Sequence, residues 1–286
     1  MSDWTDIIDS VIEHVTLLKE LGHRTAVVDP AVIASWHAPS KQPPAARSAA
    51  AAATAAVALQ TSPRPLFKLD APAPPIADTP DLSPEERRRA LADIAARAEA
   101  CRDCPLCENR TKSVPGQGNP LSPDVMFIGE APGYEEDQQG LAFVGAAGRL
   151  LTKMIAAMGY TRDEIFIANI CKCRPPNNRT PTSDEMRKCL PFLQEQIRVI
   201  RPKTIVLLGN TAIRGLLDAQ LGVSRIQGQW TRYETIPVMP TYHPSYILRF
   251  ESQGNSAGLK HAKTQVWNAL KLVLAYLGKT PPSPQK

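Results

Sequence analysis

The chain has 286 residues, and its 43% hydrophobic content is enough to bury a substantial core in one or two domains. It has no apolar run long enough to span a bilayer and no signal-peptide pattern at its N-terminus, so we expect a cytoplasmic protein that does not bind a membrane. Of the 33 Lys and Arg residues, only six lie in residues 1–80, against eight of the 28 Asp and Glu residues. The remaining body is therefore basic, which favours a polyanionic partner such as nucleic acid.

The first 81 residues differ in composition from the rest of the chain. Apolar residues recur at helical spacing between Trp4 and Leu18, which predicts an amphipathic helical extension over residues 1–38. Residues 39–81 are rich in alanine and proline and contain too few large apolar side chains to offset the entropy of ordering. We interpret them as a disordered linker. The helix either docks on a partner or on the main domain, or has no separate role.

The folded body is predicted to begin at residue 82 and to end near residue 280, before a short disordered tail over 281–286. Ser83, Pro84 and Glu86 form a capping box that starts a helix running to about Ala100. Four apolar strands then alternate with helices, which indicates an α/β fold with a parallel sheet covered on both faces. The predicted strands are 125–128, 164–168, 204–208 and 237–239, and the predicted helices are 148–158, 183–200, a short one from 211, and 260–277.

The loop after the first predicted strand is rich in glycine and acidic residues. It begins Gly-Glu-Ala-Pro-Gly at 129–133, and such glycine density lets backbone amides approach a ligand, although a generic tight turn has the same composition. The loop has neither the Rossmann spacing nor the P-loop Lys-Ser/Thr, so nucleotide binding has little support. We interpret the acids at 135–137 as a solvated loop. Phe143, which small residues flank, is either a core side chain or a stacking platform for a planar base.

Two further polar residues follow predicted strands, where parallel sheets bind ligands. Asn169 either forms a turn or uses its amide, which both donates and accepts, to read the edge of a base. His243 is held by the following proline and suits donation of a hydrogen bond to developing negative charge, although a structural histidine is the alternative. Beyond it, Tyr246, Leu248 and Arg249 combine apolar side chains with a cation, as expected of a segment that enters a duplex and contacts phosphate.

All six cysteines lie between positions 101 and 189, in two clusters of three. In a reducing compartment, clustered cysteines with C-x-x-C spacing indicate a metal centre more often than disulfides. A zinc site usually pairs two short C-x₂₋₄-C knuckles, whereas fifteen residues separate Cys173 from Cys189. The residues themselves leave four ligands to be chosen from six candidates, and zinc remains an alternative to an iron–sulfur centre.

Taken together, these motifs resemble the family-4 uracil-DNA glycosylases, the iron–sulfur branch of that superfamily. The resemblance covers roughly residues 90–277. It rests on four ordered motifs, namely GEAPG at 129–133, FVG at 143–145, Asn169 followed by KCRPP at 172–176, and HPSY at 243–246.

The resemblance implies a uracil-DNA-glycosylase-like three-layer α/β/α fold with a central, mainly parallel four-stranded sheet. It implies a monomer that acts on uracil-containing DNA, single- or double-stranded, and a repair protein becomes a candidate partner for the N-terminal extension. It also implies a [4Fe–4S] cluster, with Cys107 and Cys171 outside the ligand pattern. The implied ligands are Cys101, Cys104, Cys173 and Cys189.

The resemblance assigns roles to individual residues of the body. Phe143 would stack on a flipped uracil, Asn169 would hydrogen-bond its edge, and His243 would stabilise the uracil anion. Glu130, the third implied catalytic residue, would help to position the attacking water, and Glu136 or Asp137 would help to exclude the 5-methyl group of thymine. The remaining implied contacts are Ala131, Pro132 and Gly133 in the pocket, and Tyr246, Leu248 and Arg249 on DNA.

Two positions depart from the family's pattern, because Ala142 replaces a usual proline and Gln227 stands where arginine is common. The loop over 174–181 contains no histidine of the kind that traps DNA covalently in a sister group, so permanent attachment is not expected. The prediction is a monofunctional glycosylase that leaves an abasic site. The alternative is a non-catalytic iron–sulfur module of the same fold that binds nucleic acid.

Overall fold

The computed structural model describes residues 82–218 and 222–282. The predicted N-terminal helix and linker lie outside these residues, as do positions 283–286 of the predicted tail. Within the described ranges, no helix is both long enough and apolar enough to cross a membrane.

One six-stranded sheet runs through the described part of the chain. Its strands are β1 Gln117–Gly118, β2 Val125–Gly129, β3 Phe166–Asn169, β4 Thr204–Leu208, β5 Thr231–Tyr233 and β6 Ile236–Thr241. Their order in the sheet is β1-β3-β2-β4-β6-β5. The four inner strands are parallel, and the short edge strands β1 and β5 pair antiparallel with β3 and β6.

The inner strands are buried along their whole length because helices cover both faces of the sheet. Phe127, Val206 and Met239 belong to the core on one face, while Met126 and Ile205 belong to the core on the other. The helices are α1 Pro84–Ala100, α2 Tyr134–Gln139, α3 Ala146–Ala157, α4 Ser183–Ile200, α5 Gly209–Leu217, α6 Val223–Ile226, α7 Pro244–Ser252 and α8 Ser256–Tyr276.

The predicted three-layer α/β fold is confirmed, and the four predicted strands are the four inner ones. The expected strand number was wrong, because the sheet has six strands rather than four. β1 and β5 contain two and three residues, which is too short for an alternating pattern to stand out in the sequence. The capping box at Ser83 and the bounds of α4 agree with the prediction.

Candidate functional site

The carboxyl ends of the parallel strands bring the sequence motifs together at one edge of the sheet. Gly129 at the end of β2 pairs in register with Asn169 at the end of β3. On the other side, Leu208 at the end of β4 pairs with Thr241, two residues before His243. Segments that are far apart in the chain therefore meet at one crevice, as expected for this class of sheet.

Asn169 and Phe143 meet above Gly129. A Cβ atom built on Gly129 would lie 2.5 Å from both the Asn169 Oδ1 and the Phe143 Cζ, so only a glycine leaves room for the two side chains. Asn169 is 1% exposed, and its Oδ1 has no hydrogen-bond partner among the residues that the structure describes. A buried polar atom without a partner is costly, and here it is available to a ligand.

His243 faces the Phe143 ring, with the two ring centroids 5.7 Å apart. The Ser245 backbone N–H donates to the His243 Nδ1 over 3.1 Å, and the Ser245 hydroxyl lies 2.7 Å from the same atom. Burial lowers the pKa of His243 to about 4, against the opposing effect of Glu136. The ring is therefore neutral at physiological pH, and because Nδ1 accepts a hydrogen bond, the proton resides on Nε2.

Glu130 lies directly after Gly129 and is anchored to two neighbouring elements. Its carboxylate accepts a hydrogen bond from the Thr211 hydroxyl at the start of α5, and its carbonyl accepts from the Cys171 backbone N–H over 3.1 Å. The sequence that follows, Ala131 to Gly133, leads into α2. The Gly133 N–H donates to Glu136 over 3.1 Å, so the predicted pocket segment is tied to the acidic run behind it.

The interpretation of the acidic run as a solvated loop was wrong for Glu136 and Asp137. The run forms the short helix α2, and the two side chains are 8% and 1% exposed. Glu136 Oε1 accepts hydrogen bonds from the N–H groups of Val144 and Gly145, over 2.9 and 2.8 Å, and Asp137 accepts from the Thr111 N–H. Composition could not reveal this role, because the donors are backbone N–H groups eight and nine positions further along the chain, for Glu136, or in another loop, for Asp137.

The predicted DNA-contacting residues lie on α7, which starts immediately after His243. The Tyr246 ring stacks on Tyr242 at a centroid distance of 4.6 Å and meets Phe250 edge-on at 4.9 Å, so it is packed against neighbouring aromatic rings. Leu248 is half-buried and Arg249 is exposed. The helix thus carries an apolar and a cationic side chain close to the crevice.

The four cysteines that the resemblance selects line one cavity. Cys107, which was expected to lie outside the ligand pattern, lines the same cavity, whereas Cys171 does not. The signal for Cys107 was a second C-x-x-C step, from Cys104 to Cys107. Among the described residues, no three Cys, His, Asp or Glu side chains are grouped closely enough to hold a single metal ion.

The thiols at this cavity differ in acidity. Burial raises the pKa of Cys101 and Cys104, and it raises the pKa of Cys173 to about 11. A hydrogen bond from Cys171 lowers the pKa of Cys189 to about 7. Metals bind thiolates, so cysteines around one cavity suit a cluster of several thiophilic metal ions better than a single ion, and binding would draw off the remaining protons.

Comparison with known proteins relates the chain to a group of DNA repair enzymes. The sequence profile of the Uracil DNA glycosylase superfamily matches residues 115–271. The chain is similar to the Type-4 uracil-DNA glycosylase of Thermotoga maritima, with 43% identity over 170 residues that cover 58% of this chain and 87% of the relative. The Type-4 uracil-DNA glycosylase of Archaeoglobus fulgidus is 43% identical over 166 residues, which cover 55% of this chain and 83% of the relative. The Type-4 uracil-DNA glycosylase of Sulfurisphaera tokodaii is 44% identical over 167 residues, which cover 55% of this chain and 76% of the relative.

Proposed function

Because the chain belongs to the type-4 branch of the Uracil DNA glycosylase superfamily, we propose that it removes uracil from DNA in base excision repair. It is a hydrolase that cleaves the N-glycosidic bond between uracil and deoxyribose and leaves an abasic site. The observation that carries the residue assignment is the convergence of Asn169, Phe143 and His243 around Gly129.

The crevice suits a planar base that has been flipped out of the DNA stack. The Phe143 ring supplies an apolar face, and the unpartnered Oδ1 of Asn169 supplies an acceptor for the imide N–H of uracil. The Asn169 amide N–H₂ is then the donor for a neighbouring uracil carbonyl. Glu136 accepts hydrogen bonds from the backbone N–H groups of Gly133, which follows Glu130, and of Gly145, which follows Phe143. The pocket is therefore formed before the base arrives.

Bond cleavage places the electron pair of the C1′–N1 bond on the departing uracil. The neutral His243 donates its Nε2–H to a uracil oxygen on which this negative charge develops, and it keeps its proton. Water then adds to the electron-deficient C1′ and releases a proton to solvent, and the uracil anion takes up a proton from solvent, which gives the abasic sugar and free uracil. Glu130 helps to position that water, and its carboxylate is held by Thr211.

In this proposal Cys101, Cys104, Cys173 and Cys189 would hold a [4Fe–4S] cluster in the cysteine cavity. These residues belong to the segment after α1, the loop after β3 and α4, so the cluster would link the three, and its role would be structural rather than catalytic. A brown protein with broad absorption near roughly 400 nm would support iron–sulfur, and a colourless protein containing zinc would refute it.

The remaining proposals concern partners and location. Leu248 and Arg249 contact the DNA beside the flipped base, with Tyr246 supporting them from within its aromatic stack. The protein acts as a monomer, and its glycosylase domain spans residues 82–280. The N-terminal extension docks on a repair protein. Six free cysteines support a reducing, cytoplasmic location.

Release of uracil from labelled oligonucleotides tests the proposed function. Matched strands that carry U, T or C at one position are incubated with the protein, and free base and alkali-labile sites are measured. The expected result is release of uracil alone, from single strands, duplexes or both, with strand breakage only after alkali. Tight DNA binding without base release would favour the non-catalytic module instead.

A further inference from the structure

Phe143 has a backbone conformation that its side chain disfavours. Its φ angle of 55° lies in the left-handed region, which non-glycine residues rarely adopt. Such a conformation persists only when surrounding contacts hold it, and it is often found where a side chain must be presented to a ligand. The question is therefore which groups hold the turn at residues 142–145.

Two of the constraints lie after Phe143 in the chain. Glu136 accepts hydrogen bonds from the N–H groups of Val144 and Gly145. Gly148 packs directly against the Phe143 carbonyl, and a Cβ atom built there would lie 1.9 Å from that oxygen. These contacts fix the turn on its C-terminal side, and a separate contact holds its N-terminal side.

Arg162 supplies the constraint on the N-terminal side. Its Nη2 donates to the Ala142 carbonyl over 2.6 Å, and its Nη1 donates to the Thr152 hydroxyl over 3.1 Å. Thr152 in turn donates to the Gly148 carbonyl over 3.0 Å. The Arg162 guanidinium thus links Ala142 to α3 close to Gly148, the residue that packs against the Phe143 carbonyl.

The surroundings of Arg162 are unusual for an arginine, because both of these acceptors are neutral oxygens. Burial lowers the pKa of Arg162, against the opposing effects of Asp163 and Glu136. A partly desolvated cation is costly to maintain, and the planar fork of arginine is suited to bridging two acceptors at fixed separation. An arginine whose side chain lay in solvent would not need these two hydrogen bonds to Ala142 and Thr152.

We propose that Arg162 is a positioning residue, which holds the turn at residues 142–145 through Ala142 so that the Phe143 ring is presented to uracil. The inference rests on the proposed function, since it takes Phe143 as the residue that stacks on the base. Arg162 acts through Phe143 and does not contact the substrate.

The test compares Arg162→Met and Arg162→Lys with Arg187→Met, an exposed arginine on α4 that pairs with Asp184. Three quantities are measured, namely the inhibition constant of free uracil, kcat and KM on a U-containing strand, and the thermal unfolding midpoint. Arg162→Met is expected to weaken uracil inhibition and to lower kcat/KM by a factor on the order of 10 to 100. Arg162→Lys keeps the charge but loses the fork, so an intermediate loss is expected, and the control should match the wild type.

A fluorine label at position 143, introduced as 4-fluorophenylalanine, reports on the ring itself. Its ¹⁹F signal should be a single line that shifts with uracil in the wild type and should broaden or split in Arg162→Met. An unchanged uracil inhibition constant and an unchanged ¹⁹F line in a folded variant would overturn the inference. If Arg162→Met does not fold, the same two readouts on Arg162→Lys decide. Absence of uracil release by the wild type would instead refute the proposed function.

Discussion

His243 can donate to a leaving uracil only while its proton resides on Nε2. The Ser245 N–H occupies Nδ1, and burial lowers the pKa of the ring to about 4. We therefore predict that the imidazole carbon signals of His243 show no titration between pH 5 and 8 and move only near pH 4, as NMR of ¹³C-labelled protein would reveal. A midpoint near 6.5 would contradict this arrangement.

The lowered pKa of His243 also makes the stability of the protein depend on pH. In the unfolded chain the pKa of histidine is about 6.5, so between pH 4 and 6.5 the unfolded state binds more protons than the folded state. The stabilisation that comes from a neutral His243 is therefore fully present above about pH 6.5 and is lost as the pH falls towards 4. Replacement by glutamine should flatten this part of the curve of unfolding free energy against pH.

Replacement of Asn169 is expected to change activity much more than stability. Its Oδ1 has no hydrogen-bond partner in the described part of the chain, so Asn169→Ala removes an unsatisfied buried acceptor together with the group proposed to read uracil. We predict a loss of uracil release of about 10²-fold, with a change in unfolding free energy below about 1 kcal/mol. Urea unfolding and single-turnover kinetics check the two parts, and a large loss of stability with retained activity would reverse the assignment.

At the scale of the elements, the end of β2 is where the crevice has least room. A Cβ atom at Gly129 would displace Asn169 and Phe143, each 2.5 Å away, whereas at Gly222 it would meet only ordinary contacts at 3.8 Å. Gly129→Ala should therefore reduce kcat/KM by a factor on the order of 10², and Gly222→Ala should leave it unchanged. Equal activity of both variants would mean that the crevice tolerates a methyl group.

The sequence indicated the inner elements better than the peripheral ones. The inner strands and α4 are long enough for apolar patterns to mark them in the sequence. The edge strands, α2 and α7 are short, so their formation depends on contacts from elsewhere in the chain. For the same reason the motifs located Asn169 and His243, whereas the buried acceptor role of Glu136 required the folded backbone.

At the scale of the whole molecule, the cysteine cavity joins segments that are distant in the chain. Arg110 contributes to this joint, because its Nη1 donates to the Cys173 Sγ over 2.8 Å while its Nη2 donates to the Glu99 carbonyl. If Cys173 binds the proposed iron–sulfur cluster, this donor would favour the more negative, reduced state of the cluster.

We therefore predict that Arg110→Met lowers the reduction potential of the loaded protein and speeds bleaching of its visible absorption by oxidant. The matched control is Arg102→Met, since Arg102 is exposed and its Nη1 donates to the backbone carbonyls of residues 99–101. Potentiometric titration followed by electron paramagnetic resonance measures the first effect. Identical potentials in the two variants would show that the Arg110 contact does not tune the centre.

The central claim is that uracil leaves as an anion stabilised by His243. The most direct test is the single-turnover rate of uracil release, at saturating enzyme, for the wild type and His243→Ala. The account predicts a loss of about 10²–10³-fold with the DNA affinity and the visible spectrum unchanged. A rate equal to that of the wild type would contradict it.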